Sequence, residues 1–286
     1  MKSSSRGALA TAFAAAWLAV ALGCSGVREA PRTGDEADLR EELGIAGRMY
    51  VLLQAGRLRA AAEHLDELEE AARRSAEADA VSAFVEERYR YLVDGRRWEE
   101  ALLAEPVFAS GREILTLLHT QGLAAAFRGR ADAADNARRV FQQMVDSLRL
   151  TRRYRIESHE LAAAAAMARG DVAETRSRME GAVRDEEPWS AGAGPPILPI
   201  PARELYGEML IQLGEAEAAE QELARALEDR PDRPLAVFGR GKAAVLAGDR
   251  VRAAAYFRSF LELWQEADPE LEAVVEARRF LVEVGG

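Results

Sequence analysis

IPARELYGEMLIQLGEAEAAEQELARALEDRPDR (residues 200–233) and PLAVFGRGKAAVLAGDRVRAAAYFRSFLELWQEA (residues 234–267) align without a gap, 34 residues apart. At the eighth residue of each window stand Gly207 and Gly241, at the fifteenth Gly214 and Gly248, and at the twentieth Ala219 and Ala253. Ala226 and Pro231 complete the first window, where the second has Phe260 and Gln265. Each window predicts two antiparallel helices. Gly207, Gly241, Ala219, Ala253 and Ala226 remove bulk where helix axes must approach, and Gly214 and Gly248 suit the left-handed turn between the helices. Asp249 can cap the helix that follows it. Leu210, Leu223, Leu227, Phe257 and Leu261 supply an apolar stripe.

Fainter copies lie upstream. LAAAAAMARGDVAETRSRMEGAV (161–183) has Gly170 and Asp171 at the turn and Ala182 in a small-residue slot. QGLAAAFRGRADAADNARRVF (121–141) spaces Gly122 and Gly129 seven apart, and YVLLQAGRLRAAAEHLDEL (50–68) has Gly56, Ala61 and Leu65 at spacings that suit the repeat. YLVDGRRWEEALL (91–103) reads as the same turn with one residue inserted, Trp98 and Ala101 filling the aromatic and small slots. A pattern that recurs in this way predicts an all-α solenoid of five or six helical hairpins, in which each pair buries its faces against its neighbours.

The expected organisation is a leader (1–23), a tether (24–37), degenerate hairpins (38–187), a Pro/Gly-rich connector (188–199), two clear repeats (200–267) and a closing helix (268–286). The connector is expected because Pro188, Pro195, Pro196, Pro199 and Pro201 break helical hydrogen bonding. Asp268 and Pro269 read as the N-cap and first turn of the last helix.

The period and the small-residue pattern resemble the tetratricopeptide repeat. Residues 186–283 are similar to the C-terminal part of a widespread group of bacterial proteins of that class, through PAREL.GE.L, AGD...A..YF..FLELW..AD and EARRFL. The tryptophan usual near the repeat start is missing from both windows. The resemblance implies a protein-binding solenoid whose first helices line a concave groove. It places Glu204, Glu208, Ile211, Gln212, Phe238, Lys242, Val245 and Leu246 on that groove, facing a protein or peptide partner, and gives Phe257 a structural place.

The chain begins MKSSSRGALATAFAAAWLAVALGC. Lys2 and Arg6 precede an uncharged stretch from Ala8 to Leu22, which as a helix rises about 22 Å, short of a bilayer core of about 30 Å. That arrangement is an export signal. ALGC (21–24) resembles a bacterial lipobox, which implies cleavage before Cys24 and acylation of its thiol. Ala21 and Leu22 depart from the commonest lipobox residues. Several acyl chains hold a protein firmly to a membrane where one does not. Ser25, in place of aspartate, implies the outer membrane, with the chain facing the periplasm.

The net charge of −10 and the dispersed acids leave no basic face for nucleic acid. A single cysteine excludes an internal disulfide. His64, His119 and His159 have no histidine at i+4, read as solvated helix positions, and predict no metal site. FGRGKA (238–243) has Ala236 and Ala243 where a phosphate loop needs Gly and Ser or Thr. AGAG (191–194) precedes prolines, not a helix start, and AAAAA (162–166) predicts close helix packing. Neither catalytic residues nor a cofactor are expected. The reading is a lipid-anchored scaffold in the bacterial cell envelope. Its alternatives are a ligand-binding lipoprotein serving an envelope transporter, and an enzyme whose site is spread over loops. Radiolabelled palmitate is expected to enter the wild-type protein and not Cys24→Ser; equal labelling of both would remove the anchor.

Overall fold

Among the described residues, six turns of one shape divide the chain. In each, one residue adopts a left-handed conformation, its N–H bonds to the carbonyl three residues back, and the next N–H bonds to the carbonyl five back. At Gly214 (φ 80°) these bonds run to Ile211 (3.1 Å) and from Glu215 to Leu210 (2.9 Å). Gly56, Gly129, Gly170 and Gly248 repeat the geometry. This double bond satisfies carbonyls that a helix end leaves free. In the turn with the inserted residue, Arg96 (φ 52°) occupies the left-handed position, a conformation costly for a side chain bearing a Cβ.

The computed structural model describes residues 44–75, 77–108, 110–147, 152–190, 195–231 and 233–285. The expected signal, Cys24, the tether and AGAG lie outside the described residues. Those described form α1 (Gly44–Gln54), α2 (Leu58–Ser75), α3 (Ala78–Asp94), α4 (Trp98–Leu103), α5 (Gly111–Phe127), α6 (Ala131–Ser147), α7 (Arg152–Ala168), α8 (Val172–Ser190), α9 (Ala202–Gln212), α10 (Ala216–Asp229), α11 (Pro234–Leu246), α12 (Arg250–Leu263) and α13 (Glu272–Gly285), with no strand among them.

Consecutive helices pair from α1/α2 to α11/α12, giving six hairpins, and α13 packs on α12. The first helices of successive hairpins also touch in order, α1 to α3, α5, α7, α9 and α11, and so form one inner layer. The architecture is all-α, an array of adjacent helix pairs consistent with a solenoid.

The small residues act where expected. A Cβ on Gly207 would lie 2.4 Å from Leu223 Cγ, and one on Gly241 2.5 Å from Phe257 Cε1. Ala219, Ala226, Ala253 and Phe257 are buried, and Pro231 is half-buried in the turn before α11. Ala163 to Ala166 are buried in α7, where their size lets α5 and α8 pack close. Asp249 caps α12, accepting from the Arg252 N–H at 2.9 Å.

Two boundaries differ from expectation. α8 runs through Pro188 to Ser190, because a proline in a helix's last turn removes a single hydrogen bond as the chain is about to leave. Asp268 does not cap the last helix, which begins at Glu272. Its carboxylate accepts from the Arg59 backbone N–H (2.8 Å) and Arg59 Nε (2.9 Å), and so caps the start of α2. In the same place the Asp268 N–H donates to the Gly56 carbonyl (3.0 Å), and Trp264 Nε1 donates to the Gln54 carbonyl (2.8 Å). A Cβ on Gly56 would lie 2.5 Å from that of Ala267. The chain after the sixth hairpin thus satisfies the free backbone groups of the first hairpin's turn, and the array closes on itself.

Gly241→Ala is expected to lower stability by about 1–3 kcal/mol in denaturant unfolding, because the aromatic ring of buried Phe257 must give way. An unchanged midpoint would refute the close approach.

Candidate functional site

The inner layer carries the predicted groove residues, and the closed array buries Glu204 and Phe238 among them. Glu204 is 0 % exposed and Arg233 1 %. Arg233 Nε donates to Glu204 Oε2 (2.6 Å), and its Nη2 donates to Glu204 Oε1 (2.9 Å) and Asp94 Oδ1 (2.6 Å). Gln54 Nε2 holds Asp94 Oδ2 at 2.9 Å. Arg96, turned inward from its left-handed position, donates to the Asp94 carbonyl (2.7 Å), Glu204 Oε1 (2.5 Å) and Glu208. One buried cluster therefore joins α1, the turn after α3, α9 and the start of α11.

Burial works against the charge on Glu204, but the guanidiniums of Arg233 and Arg96 hold its carboxyl below the usual range. Burial raises Glu208, with Arg96 opposing and the Glu204 charge adding to the rise. Glu204 is thus paired wholly inside the molecule, while Glu208 is half-buried and pairs with Arg96. Phe238 is likewise buried, 5.5 Å from the Phe257 ring and 5.1 Å from Phe260. Lys242 is half-buried, its ammonium 5.8 Å over the Phe238 ring. Gln212 is exposed, as are Val245 (43 %) and Leu246 (45 %). The open part of the inner layer is thus its rim, at the C-terminal ends of α9 and α11.

A second buried cluster lies where α3, α5 and α7 meet. His119 is 1 % exposed, so its solvated reading is corrected, and His64 is buried too. His159 is half-buried, covering Gly181. His119 Nδ1 is 2.9 Å from the Tyr89 hydroxyl, and Nε2 is 2.9 Å from Glu160 Oε2. Tyr89 also donates to Glu157 Oε1 (3.4 Å), which accepts from Arg153 Nε at 3.0 Å. Arg153 Nη1 reaches Glu86 at 2.6 Å. Burial pushes His119 down to about 4 and drives Glu160 and Tyr89 well above their ordinary values. Glu186, buried on α8 and accepting from the Ala202 N–H at 2.6 Å, rises to about 7 through the same loss of water.

The sequence carries one signal of this cluster, which the helix-surface reading of the histidines passes over. Glu157 and Glu160 share a helical face with Leu161 and Ala164, both buried, and carboxylates inside an apolar stripe mark buried polar groups. Among the described residues no three or more His, Cys, Asp or Glu are arranged to hold a metal ion, and no helix is long and apolar enough to cross a membrane. The cleft beside Glu186, lined by Val183, Arg203, Asp229 and Arg230, holds about 20 Å³, space for a water molecule. No protein-family model and no curated protein matches the chain.

Arg233→Met is expected to destabilise the fold by about 3–5 kcal/mol in urea unfolding, because it leaves Asp94 and Glu204 buried with too little positive charge. A loss under about 1 kcal/mol would show the cluster to be dispensable.

Proposed function

We propose that this protein is a tetratricopeptide-type scaffold, held to the envelope membrane by acylated Cys24 and binding a protein partner through the rim of its inner layer. The leader and lipobox-type ALGC support the anchor, and Ser25 supports the outer membrane facing the periplasm. The 34-residue period and six like-shaped hairpin turns support the repeat class. The rim carries the binding reading: Ile211, Gln212, Val245 and Leu246 hold positions that the resemblance assigns to ligand contact, and the last three are exposed. Exposed Val251, across the turn from Leu246, extends the apolar part. A mixed apolar and amide surface suits a partner helix laid along it.

In this mechanism the lipid anchor fixes location and the rigid hairpins fix geometry. Tying the array's two ends together removes the freedom of an open spiral, so a partner meets a preformed edge and less ordering accompanies binding. The test is affinity capture from detergent-solubilised membranes with wild type and with Gln212→Arg/Leu246→Asp, whose sites lie outside the buried clusters. Loss of the captured partner with unchanged helical circular dichroism is expected. Equal capture by both would overturn the rim as the binding surface.

A further inference from the structure

The His119 cluster suits a role that neither the scaffold reading nor the anchor requires. Five polar side chains from three first helices are enclosed together, and their hydrogen atoms can be counted. Tyr89 has one hydroxyl hydrogen for two neighbours, His119 Nδ1 and Glu157 Oε1. A neutral imidazole has one N–H for two neighbours, Tyr89 and Glu160. Arg153 is shared between Glu157 and Glu86, and its Nη2 has no partner. Glu160 has His119 as its hydrogen-bond partner, and its second oxygen, Oε1, is buried without one.

Two arrangements satisfy that count with a neutral imidazole. In the first, Glu160 is an anion accepting from Nε2, and Tyr89 turns to Nδ1. Glu160 is then a buried charge with a bare oxygen and no cation hydrogen-bonded to it, which is costly. In the second, Glu160 carries a proton and gives it to Nε2, Nδ1–H donates to Tyr89, and Tyr89 donates to Glu157. Every hydrogen then has an acceptor, and the charge in the cluster resides on Glu157 and Glu86, beside Arg153.

We propose that Glu160 holds a proton inside the folded array and donates it to His119 Nε2, making Glu160–His119–Tyr89–Glu157 a buried, pH-sensitive clasp between α3, α5 and α7. Raising the pH removes one proton to solvent. The Glu160 proton passes to Nε2, Nδ1 gives up its own, and the Tyr89 hydrogen turns from Glu157 to Nδ1. The bond between α3 and Glu157 of α7 is thereby broken, and Glu160 is left as an anion facing Glu186 on α8. The groups that act on Glu160, or on which it acts, are Tyr89 from α3, His119 from α5, Arg153 and Glu157 from α7 itself and Glu186 from α8. This inference depends on neither the anchor nor the partner.

The linkage has a definite sign. A carboxyl raised by folding makes stability fall as pH rises from its unfolded value to its folded one. His119, lowered to about 4, makes stability rise over about pH 4–6.5 and so opposes the carboxyls there. Glu87 and Glu186, both raised to about 7 by burial, are still losing protons just above neutrality. These groups are common to wild type and to a chain altered only at Glu160, so the clasp is read from the difference in slope between the two.

The experiment is urea unfolding of the full chain between pH 7 and 9, for wild type and Glu160→Gln, whose amide keeps a donor for Nε2. The wild-type unfolding constant is expected to rise more steeply with pH than that of the variant, by up to about tenfold more per pH unit while the clasp titrates. Equal slopes would overturn the proposal. Should the variant fold poorly, ¹⁵N-histidine NMR of the wild type at pH 7 decides it. His119 protonated at Nδ1 with Nε2 accepting supports the clasp, and the opposite tautomer contradicts it.

Discussion

Arg233 holds this molecule in its shape. Its guanidinium lies between two carboxylates from distant parts of the chain, Asp94 at the end of α3 and Glu204 in α9, and all three are out of water. Burying such charges costs several kcal/mol per ion, recovered only when geometry and hydrogen bonding are both good. Here the fork of Arg233 bonds both acids, Gln54 occupies Asp94 again, and Arg96 adds a second cation. Arrangements that leave any of these unpaired are penalised, so the cluster selects one closure of the array among the many that a string of hairpins could adopt.

Closure explains features that would otherwise be local oddities. Arg96 takes a backbone conformation that glycine holds in the other five turns, and from it the side chain reaches Glu204 and Glu208. The strain of a left-handed arginine is offset by the pairing it permits. Beside that cluster, Trp264 and Asp268 bond the turn between α1 and α2. The two ends therefore meet through a charged interior and a backbone latch.

The hairpins were legible because their rules are short-range. Gly214 and Gly248 mark turns, Gly207 and Gly241 mark close crossings, and Ala219 and Ala253 mark buried contacts, each over a few residues of sequence. What joins residues far apart was not legible. Arg59 and Asp268 are 209 positions apart, and an aspartate followed by proline carries the same letters whether it caps the helix ahead or one across the molecule. Glu204, His119 and Glu160 misled for another reason. On an isolated amphipathic helix a carboxylate marks the wet side, but these inner helices have no wet side along most of their length. Polar residues there pair with each other across helices, a relation that periodicity does not encode.

A filled interior shifts the proposed binding surface to the rim and makes the interior a regulator of shape. The closed array itself is open to direct measurement. Spin labels at Glu63→Cys on α2 and Glu266→Cys after α12, both exposed positions, can be placed in a Cys24→Ser background and their separation read by pulsed electron resonance. Packed helices lie about 10 Å apart, so joined ends predict one narrow, short distance distribution that broadens and lengthens when Asp94→Asn weakens the central cluster. A broad or long distribution in the otherwise wild-type chain would contradict closure, and with it the account of how this protein holds its form.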